Sequence, residues 1–130
     1  MIAVDTNVVV RLFAADDPEQ TAAARLLFSE ETVFISRTVL LEFAWVLRSA
    51  YKLPPERVLD ALTSLLGLEG VRVEDAAKVA DAIHLGRTGM DVADALHVAV
   101  CPEDATFVTF ERAIGKVARR AGSRFHVRLL

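Results

Sequence analysis

Four acidic residues lie at positions where an acid could serve binding or catalysis and not only surface charge. Asp5 and Glu111 each directly follow an apolar run that predicts a buried strand. Glu42 lies inside an otherwise apolar segment, and Asp94 precedes another. Ligands of open α/β sheets bind at the edge formed by the carboxyl ends of the strands. Three of these acids lie at a predicted strand end or helix start that should face this edge. The four carboxylates are therefore candidates for one cluster.

The chemistry of such a cluster follows from its charge. Carboxylates that share a site repel one another strongly unless a divalent cation occupies it. Because no set of cysteines or histidines accompanies the acids, ligation by oxygen alone points to Mg²⁺, with Mn²⁺ as the alternative. A metal of this kind keeps several of its waters and commonly serves phosphate chemistry. The acids therefore predict a metal site that acts on phosphates.

Each acid also has a structural explanation when it is considered alone. The segment 5–7, Asp-Thr-Asn, favours a turn or a helix cap. Asp94 fits the third position of a helix that Asp91 caps, and Glu111 fits the exposed start of a helix. Glu42 has no obvious solvated face, so either a buried arginine pairs with it or it faces a cleft.

Strand and helix signals alternate along the chain. Short runs rich in β-branched and aromatic residues predict strands at 2–4, 32–35, 71–73, 106–109 and 125–129. Caps and amphipathic spacing predict helices that begin near residues 8, 18, 39, 54, 76, 91 and 112. Strands separated by helices imply βαβ units, and no linker or repeat interrupts them. The fold class is therefore α/β, with one domain over residues 1–130 and a mainly parallel sheet flanked by helices.

Charge is distributed unevenly along the 130 residues. The chain holds 18 acidic and 15 basic groups, which argues against a protein that coats nucleic acid by charge alone but does not exclude a nuclease. Residues 111–130 hold six of the basic groups and one acid. Such a basic segment indicates either contact with a polyanion or a solvated helix face.

Other features of the sequence limit the class and location of the protein. The most apolar stretch, 38–47, is far shorter than the roughly 20 residues that a spanning helix needs, so no membrane segment is expected. A single cysteine, Cys101, and the absence of a secretory signal favour a reducing, cytoplasmic location. Trp45 is expected in the core, and His97 is interpreted as a core histidine rather than a metal ligand paired with Asp94.

Four segments resemble, in order, the motifs of PIN-domain ribonucleases, and in particular the VapC toxins of toxin–antitoxin pairs. They are residues 2–9, 40–43, 91–99 and 107–110. The resemblance covers essentially the whole chain. It implies a single PIN domain with a five-stranded parallel sheet, flanking helices and acids that converge at one cleft.

The resemblance also assigns roles to individual residues. It implies that Asp5, Glu42 and Asp94 are catalytic and bind the metal, and that Glu111 is a fourth catalytic acid. That fourth position is normally Asp, so the longer Glu leaves open whether one metal or two are bound. The residues that match supporting positions around the acids are Thr6, Asn7, Asp91 and Thr109.

The implied activity is that of a Mg²⁺-dependent endoribonuclease, in which the metal polarises a phosphate and lowers the pKa of an attacking water. The candidates for contact with RNA phosphates are Arg112, Lys116, Arg119 and Arg120. The implied partners are a cognate VapB-like antitoxin and a second copy of the chain in a homodimer. The apolar faces of the helices at 39–51 and 54–66 are candidates for those contacts, although core packing accounts for most of their side chains.

Two other functions stay open at this stage. One is an Asp-based phosphotransfer or phosphohydrolase domain in which Asp5 is the nucleophile. The haloacid-dehalogenase pattern has a second Asp where this chain has Asn7, which counts against that class. The other is a catalytically degenerate PIN-like binding module, for which Glu111 is the single hint.

Overall fold

A computed structural model describes residues 1–130, which divide into two compact units, Met1–Ala76 and Ala77–Leu130. We call them the first and second units. Both combine helices with strands, and every strand pair is parallel. No helix has the length and apolar character needed to cross a membrane.

The first unit contains three strands and four helices. They are β1 (Ile2–Ala3), α1 (Thr6–Phe13), α2 (Pro18–Glu30), β2 (Val33–Ile35), α3 (Arg37–Ser49), α4 (Pro55–Gly67) and β3 (Val71–Val73). The strands form one sheet in the order β1-β2-β3, with Ile2 opposite Val33 and Val33 opposite Val71. Parallel strands in this order place all three carboxyl ends at the same edge, which is the edge where Asp5 lies.

Local caps set where helices of the first unit begin, and apolar side chains set which faces they bury. Asp17 caps α2 and Pro18 occupies its first position, where a missing N–H costs nothing. Helix α4 packs against α3 and β3. The apolar face of α4 is buried and comprises Val58, Leu59, Ala61, Leu62 and Leu65. That face therefore belongs to the core and is not free for a partner.

The second unit holds α5 (Ala76–Arg87), which begins at the boundary, α6 (Val92–Ala99), β4 (Phe107–Thr109), α7 (Arg112–Ala121) and β5 (Val127–Leu129). Strands β4 and β5 pair in parallel, with Phe107 opposite Val127. Helix α7 packs on β5, and Gly122, with φ of 148°, ends it. Because L-residues rarely adopt such a φ, a glycine is needed where the chain turns from α7 towards β5.

The α/β class, the five parallel strands and the flanking helices are confirmed. The strands hydrogen-bond as a group of three and a group of two rather than as one ladder, and each is only two or three residues long. The last strand begins at Val127 rather than 125, because the backbone N–H of Phe125 donates to the carbonyl oxygen of Gly122 at 3.4 Å in the turn that follows α7.

The prediction that Trp45 lies in the core is wrong, because its side chain is 66% exposed. Helix α3 buries Leu40, Phe43, Ala44 and Leu47. Trp45 projects from the opposite side of the helix, three residues after Glu42 and on the same face. The exposed side of α3 therefore carries both an acid and a large aromatic ring.

Candidate functional site

Asp5 is both a helix cap and an exposed acid at a strand end. It follows β1 and has extended backbone angles, and its Oδ1 accepts the backbone N–H of Val8 at 3.3 Å. The side chain is exposed. Since a carboxylate offers about four acceptor positions and this bond is long, capping leaves Asp5 able to bind a cation as well.

Glu42 is positioned by the residue next to Asp5. The hydroxyl of Thr6 donates a hydrogen bond to Oε1 of Glu42, which joins the first turn of α1 to the middle of α3. Thr6 itself is buried, with 6% exposure, so its hydroxyl has a fixed direction. This bond therefore ties Glu42 to the residue that directly follows Asp5.

The prediction that Glu42 has no solvated face is wrong. The residue is exposed on α3, and its partner is the Thr6 hydroxyl rather than an arginine. Asn7, which the resemblance places among the supporting residues, is exposed and makes no hydrogen bond to either acid. In the first unit, support for the acids thus comes from Thr6.

Asp91 and Asp94 form the start of α6 as the sequence predicts. The side chain of Asp91 accepts the backbone N–H groups of Ala93 at 3.1 Å and of Asp94 at 3.3 Å. Asp94 is the third residue of the helix. The cap fixes the backbone of Asp94 and brings the two carboxylates close together.

The surroundings of Asp94 disfavour its charged form. Partial burial raises the pKa of this carboxyl, and the negative charges of Asp91 and Glu111 raise it further, while His97 lowers it. The prediction that His97 is a core histidine is wrong, because the residue is exposed one turn after Asp94. A carboxylate that is repelled by two neighbours is one that a bound cation would stabilise.

Glu111 stands between β4 and α7 without using its side chain as a cap. Its backbone N–H donates to Oγ1 of Thr109 at 3.0 Å, and it occupies the cap position of α7 with no side-chain bond to that helix. The carboxylate is exposed. Thr109 thus fixes the backbone of Glu111 and leaves its carboxylate available.

Helix α7 presents a basic face directly after Glu111. Arg112, Lys116 and Arg119 recur at intervals of four and three residues, so they share one side of the helix, and all three are exposed. The opposite side buries Ile114, Gly115, Val117 and Ala118. Arg120, the fourth predicted contact, is also exposed and donates to the backbone oxygen of Thr88 at 3.5 Å.

The acids fit a hard divalent cation by their chemistry. No three His, Cys, Asp or Glu side chains are grouped so as to hold a metal ion on their own. Mg²⁺ does not require such a cage, because it keeps several waters and is usually bound by one or two carboxylates together with substrate phosphates. Asp5 with Glu42 in the first unit, and Asp94 with Glu111 in the second, supply donors of that type.

Arg11 is a residue that sequence reasoning missed. It borders, with Asp5, a cavity of about 450 Å³ in the first unit. Its side chain is only 19% exposed and bonds to Asp16, Gln20 and Tyr51. The available signal was the charge itself, because Arg11 interrupts the apolar run at 8–14.

Comparison with known proteins gives one family. Among curated proteins, no sequence matches this chain. The family model described as the PIN domain matches residues 2–120, a span that contains Asp5, Glu42, Asp94 and Glu111. The match extends over more than half of the chain, and the chain therefore belongs to the PIN-domain family.

Proposed function

We propose that this protein is a Mg²⁺-dependent endoribonuclease of the VapC type that hydrolyses RNA phosphodiester bonds. Membership of the PIN-domain family supports a nuclease-type activity, since PIN domains are typically metal-dependent nucleases that act on RNA. In this proposal residues 1–130 act as one PIN domain. Mn²⁺ is the alternative metal.

The observation that carries the proposal is the lack of cationic partners at the four acids. No lysine or arginine forms an ion pair with any of the four acids, Asp5, Glu42, Asp94 and Glu111. Asp16, Glu74, Asp75 and Asp81 do form such pairs, whereas other exposed acids, such as Glu103 and Asp104, do not. Two of the four candidates differ from those exposed acids, because Glu42 is held by the buried Thr6 and Asp94 is repelled by Asp91 and Glu111. Acids that are left without a protein cation and, at Asp94, repelled by neighbouring carboxylates are suited to bind a metal cation.

The proposal assigns metal binding to Asp5, Glu42 and Asp94. Each would supply a single carboxylate donor, and the waters of the ion and the RNA phosphate would complete its coordination. When bound, the ion supplies positive charge that polarises the scissile phosphate and acidifies a water. Thr6 orients Glu42 by its hydrogen bond. Glu111, whose carboxylate makes no bond to the helix it precedes, would orient a water at the phosphate.

Other residues contribute position rather than chemistry. Asp91 fixes the start of α6, and Thr109 fixes the backbone of Glu111. The exposed basic face of α7 contacts RNA phosphates, and it sets affinity and register rather than the rate of the chemical step.

The proposed partners follow from the VapC type. A cognate VapB-like antitoxin inhibits the enzyme, and two copies of the chain form a homodimer. Because α4 uses its apolar face in the core, the exposed Trp45 on α3 is the more suitable contact for either partner. Tryptophan is enriched at protein interfaces, where it fills pockets of a partner.

The deciding experiment measures cleavage of cellular RNA and of synthetic oligonucleotides with Mg²⁺, with Mn²⁺ and with a chelator. Asp5→Asn and Asp94→Asn should each abolish cleavage. Asp104→Asn should not, because it changes an exposed acid that is not one of the four candidates. Equal cleavage by the wild type and Asp5→Asn would contradict the proposal. A phosphate covalently attached to Asp5 would favour the phosphotransfer alternative instead.

The toxin assignment needs its own test in cells. A short reading frame should lie beside the gene. Expression of the wild type should arrest growth, co-expression of that reading frame should relieve the arrest, and its product should co-purify with the protein. Toxicity that this product does not relieve would contradict the pairing with an antitoxin. Mapping of RNA 5′ ends after brief induction would identify the substrate.

A further inference from the structure

The cavity beside Asp5 has the size and walls of a ligand pocket. It lies entirely in the first unit, is lined chiefly by residues of α1 and α2, and measures about 450 Å³. Ala23 and Leu27 line its apolar side, and Asp5, Asn7 and Gln20 supply polar groups. Small-molecule pockets typically combine roughly 300–1,000 Å³ of space with a few placed polar groups on apolar walls.

The charged wall of this cavity is held rigidly. The Nε of Arg11 donates to Oε1 of Gln20 at 2.7 Å, and its Nη1 donates to Oδ1 of Asp16 at 2.6 Å and to the hydroxyl of Tyr51 at 3.3 Å. Tyr51 closes the network by donating to Oδ2 of Asp16 at 2.9 Å. Side chains fixed in this way give a pocket its shape before a ligand arrives, which lowers the entropic cost of binding.

The network also decides which hydrogen bonds the cavity offers. Since Oε1 of Gln20 accepts from Arg11, the amide NH₂ of Gln20 is the group left to bind a ligand. The Asn7 side chain is exposed and makes no hydrogen bond within the chain. Asn7 therefore offers both a donor and an acceptor, whereas Gln20 offers only its NH₂, because Arg11 occupies its oxygen.

We propose that this cavity binds one unpaired nucleobase of the RNA, and that it selects guanine or uracil. The inference rests on the proposed function, because it places the base beside the phosphate that Asp5 addresses. Guanine and uracil display carbonyl oxygens that can accept from the Gln20 NH₂. Adenine displays an amino group on the same edge, and the Gln20 oxygen that would accept from that group is already bonded to Arg11. Ala23 and Leu27 supply the apolar surface that covers the ring.

The second unit contains a larger cavity, of about 590 Å³, that does not compete for this role. None of the four candidate acids lines it. Its cations are also engaged, since Lys78 donates to the backbone oxygens of Val100 and Cys101, and Arg124 pairs with Asp81 at 2.9 Å. Of the two cavities, the one beside Asp5 is therefore the one that can act on the substrate of the acids.

The test fills the cavity without altering the acids. Ala23→Leu adds bulk at an exposed position that lines the cavity, and Ala22→Leu adds the same bulk at the adjacent exposed position that does not. Both are made in an Asp94→Asn background, so that binding of fluorescein-labelled single-stranded RNA is measured by anisotropy while the RNA stays intact. Ala23→Leu should weaken binding about tenfold, the loss expected for one well-placed base contact, and Ala22→Leu should not.

A second variant tests base selection. Gln20→Glu keeps an oxygen for Arg11 and replaces the free amide donor with an acceptor. Binding is compared across oligonucleotides that differ at one base. The preference for guanine or uracil over adenine should fall about tenfold. An unchanged preference, or equal RNA binding by the two leucine variants, would overturn the inference. Equal RNA binding combined with loss of antitoxin binding by Ala23→Leu would overturn it too, and would assign the cavity to a protein partner. Because binding is measured without cleavage, a wild type that binds as expected but cleaves no RNA would refute the proposed function alone.

Discussion

Thr6 and Glu42 stand 36 positions apart in the sequence and are joined by a hydrogen bond from the Thr6 hydroxyl to Oε1 of Glu42. The donor is buried and the acceptor is exposed, so the bond anchors a surface carboxylate to a fixed point in the core. Thr6 also directly follows Asp5. One buried hydroxyl thereby sets the position of Glu42 relative to Asp5.

Replacement of Thr6 by valine should separate this positioning role from packing. Valine keeps the shape but lacks the donor, so we expect stability to fall by about 1 kcal/mol and RNA cleavage to fall about tenfold. Thr6→Ser, which restores the hydroxyl, should recover most of the cleavage. Denaturant unfolding and the dependence of cleavage on Mg²⁺ concentration measure the two effects. Valine and serine variants of equal activity would show that Thr6 serves packing alone.

Thr21 provides the opposite case in the same unit. Its side chain is buried, with 4% exposure, and its Oγ1 has no hydrogen-bond partner. On folding, this hydroxyl loses its hydrogen bonds to water and gains none in the protein. Thr21→Val removes it, so the variant should be more stable than the wild type by about 1 kcal/mol. Denaturant unfolding measures this difference, and RNA cleavage should not change. A loss of stability would show that the hydroxyl has a partner in solution, such as a bound water.

Local features of the fold could be predicted from the sequence because neighbouring residues determine them. The boundaries of β3 and the first residue of α7 are those predicted, and Asp91 caps α6 as its spacing from Asp94 indicates. Helix α1 begins two residues earlier than predicted, at Thr6, because Asp5 itself caps it. Caps and turns depend on side-chain bonds that span three or four residues, which a sequence pattern displays directly.

Features that depend on distant contacts could not be predicted. An apolar run around Glu42 suggests burial on all sides, but Trp45 lies on the same face of α3, and both residues are exposed. Residue type alone does not reveal that an aromatic ring is left at the surface. The bonds of Arg11 to Tyr51 and of Thr6 to Glu42 span 40 and 36 positions, and no local pattern encodes such pairs.

Asp94 should give the second unit a stability that depends on pH. Burial and the charges of Asp91 and Glu111 raise the pKa of this carboxyl in the folded state. Between the ordinary Asp pKa of about 4 and the raised value, the folded state binds more protons than the unfolded state, so stability falls as the pH rises through that window. Asp94→Asn should remove the fall and be more stable than the wild type at neutral pH.

Denaturant unfolding of both proteins across that pH range, with a chelator present, measures the effect. Asp104→Asn serves as the control, because Asp104 is an exposed acid that is not among the charges acting on Asp94, and this variant should leave the pH profile unchanged. A lower stability of Asp94→Asn at neutral pH would contradict the prediction. It would mean that the favourable interaction of the Asp94 charge with the start of α6 outweighs the repulsion.

The basic face of α7 should act on RNA through charge alone. Each of Arg112, Lys116 and Arg119 is exposed and follows Glu111 on one side of the helix, so replacement by glutamine should remove one phosphate contact. For single-stranded RNA, each lost contact should reduce the slope of log K against log salt by about 0.7. The maximal rate of cleavage at saturating RNA should stay the same, because these residues do not touch the reacting atoms.

Arg57→Gln, at an exposed position of α4, is the matched control and should leave the slope unchanged. An equal effect of Arg57→Gln would show that RNA responds to total charge, and a loss of maximal rate in the α7 variants would place that face in the chemical step.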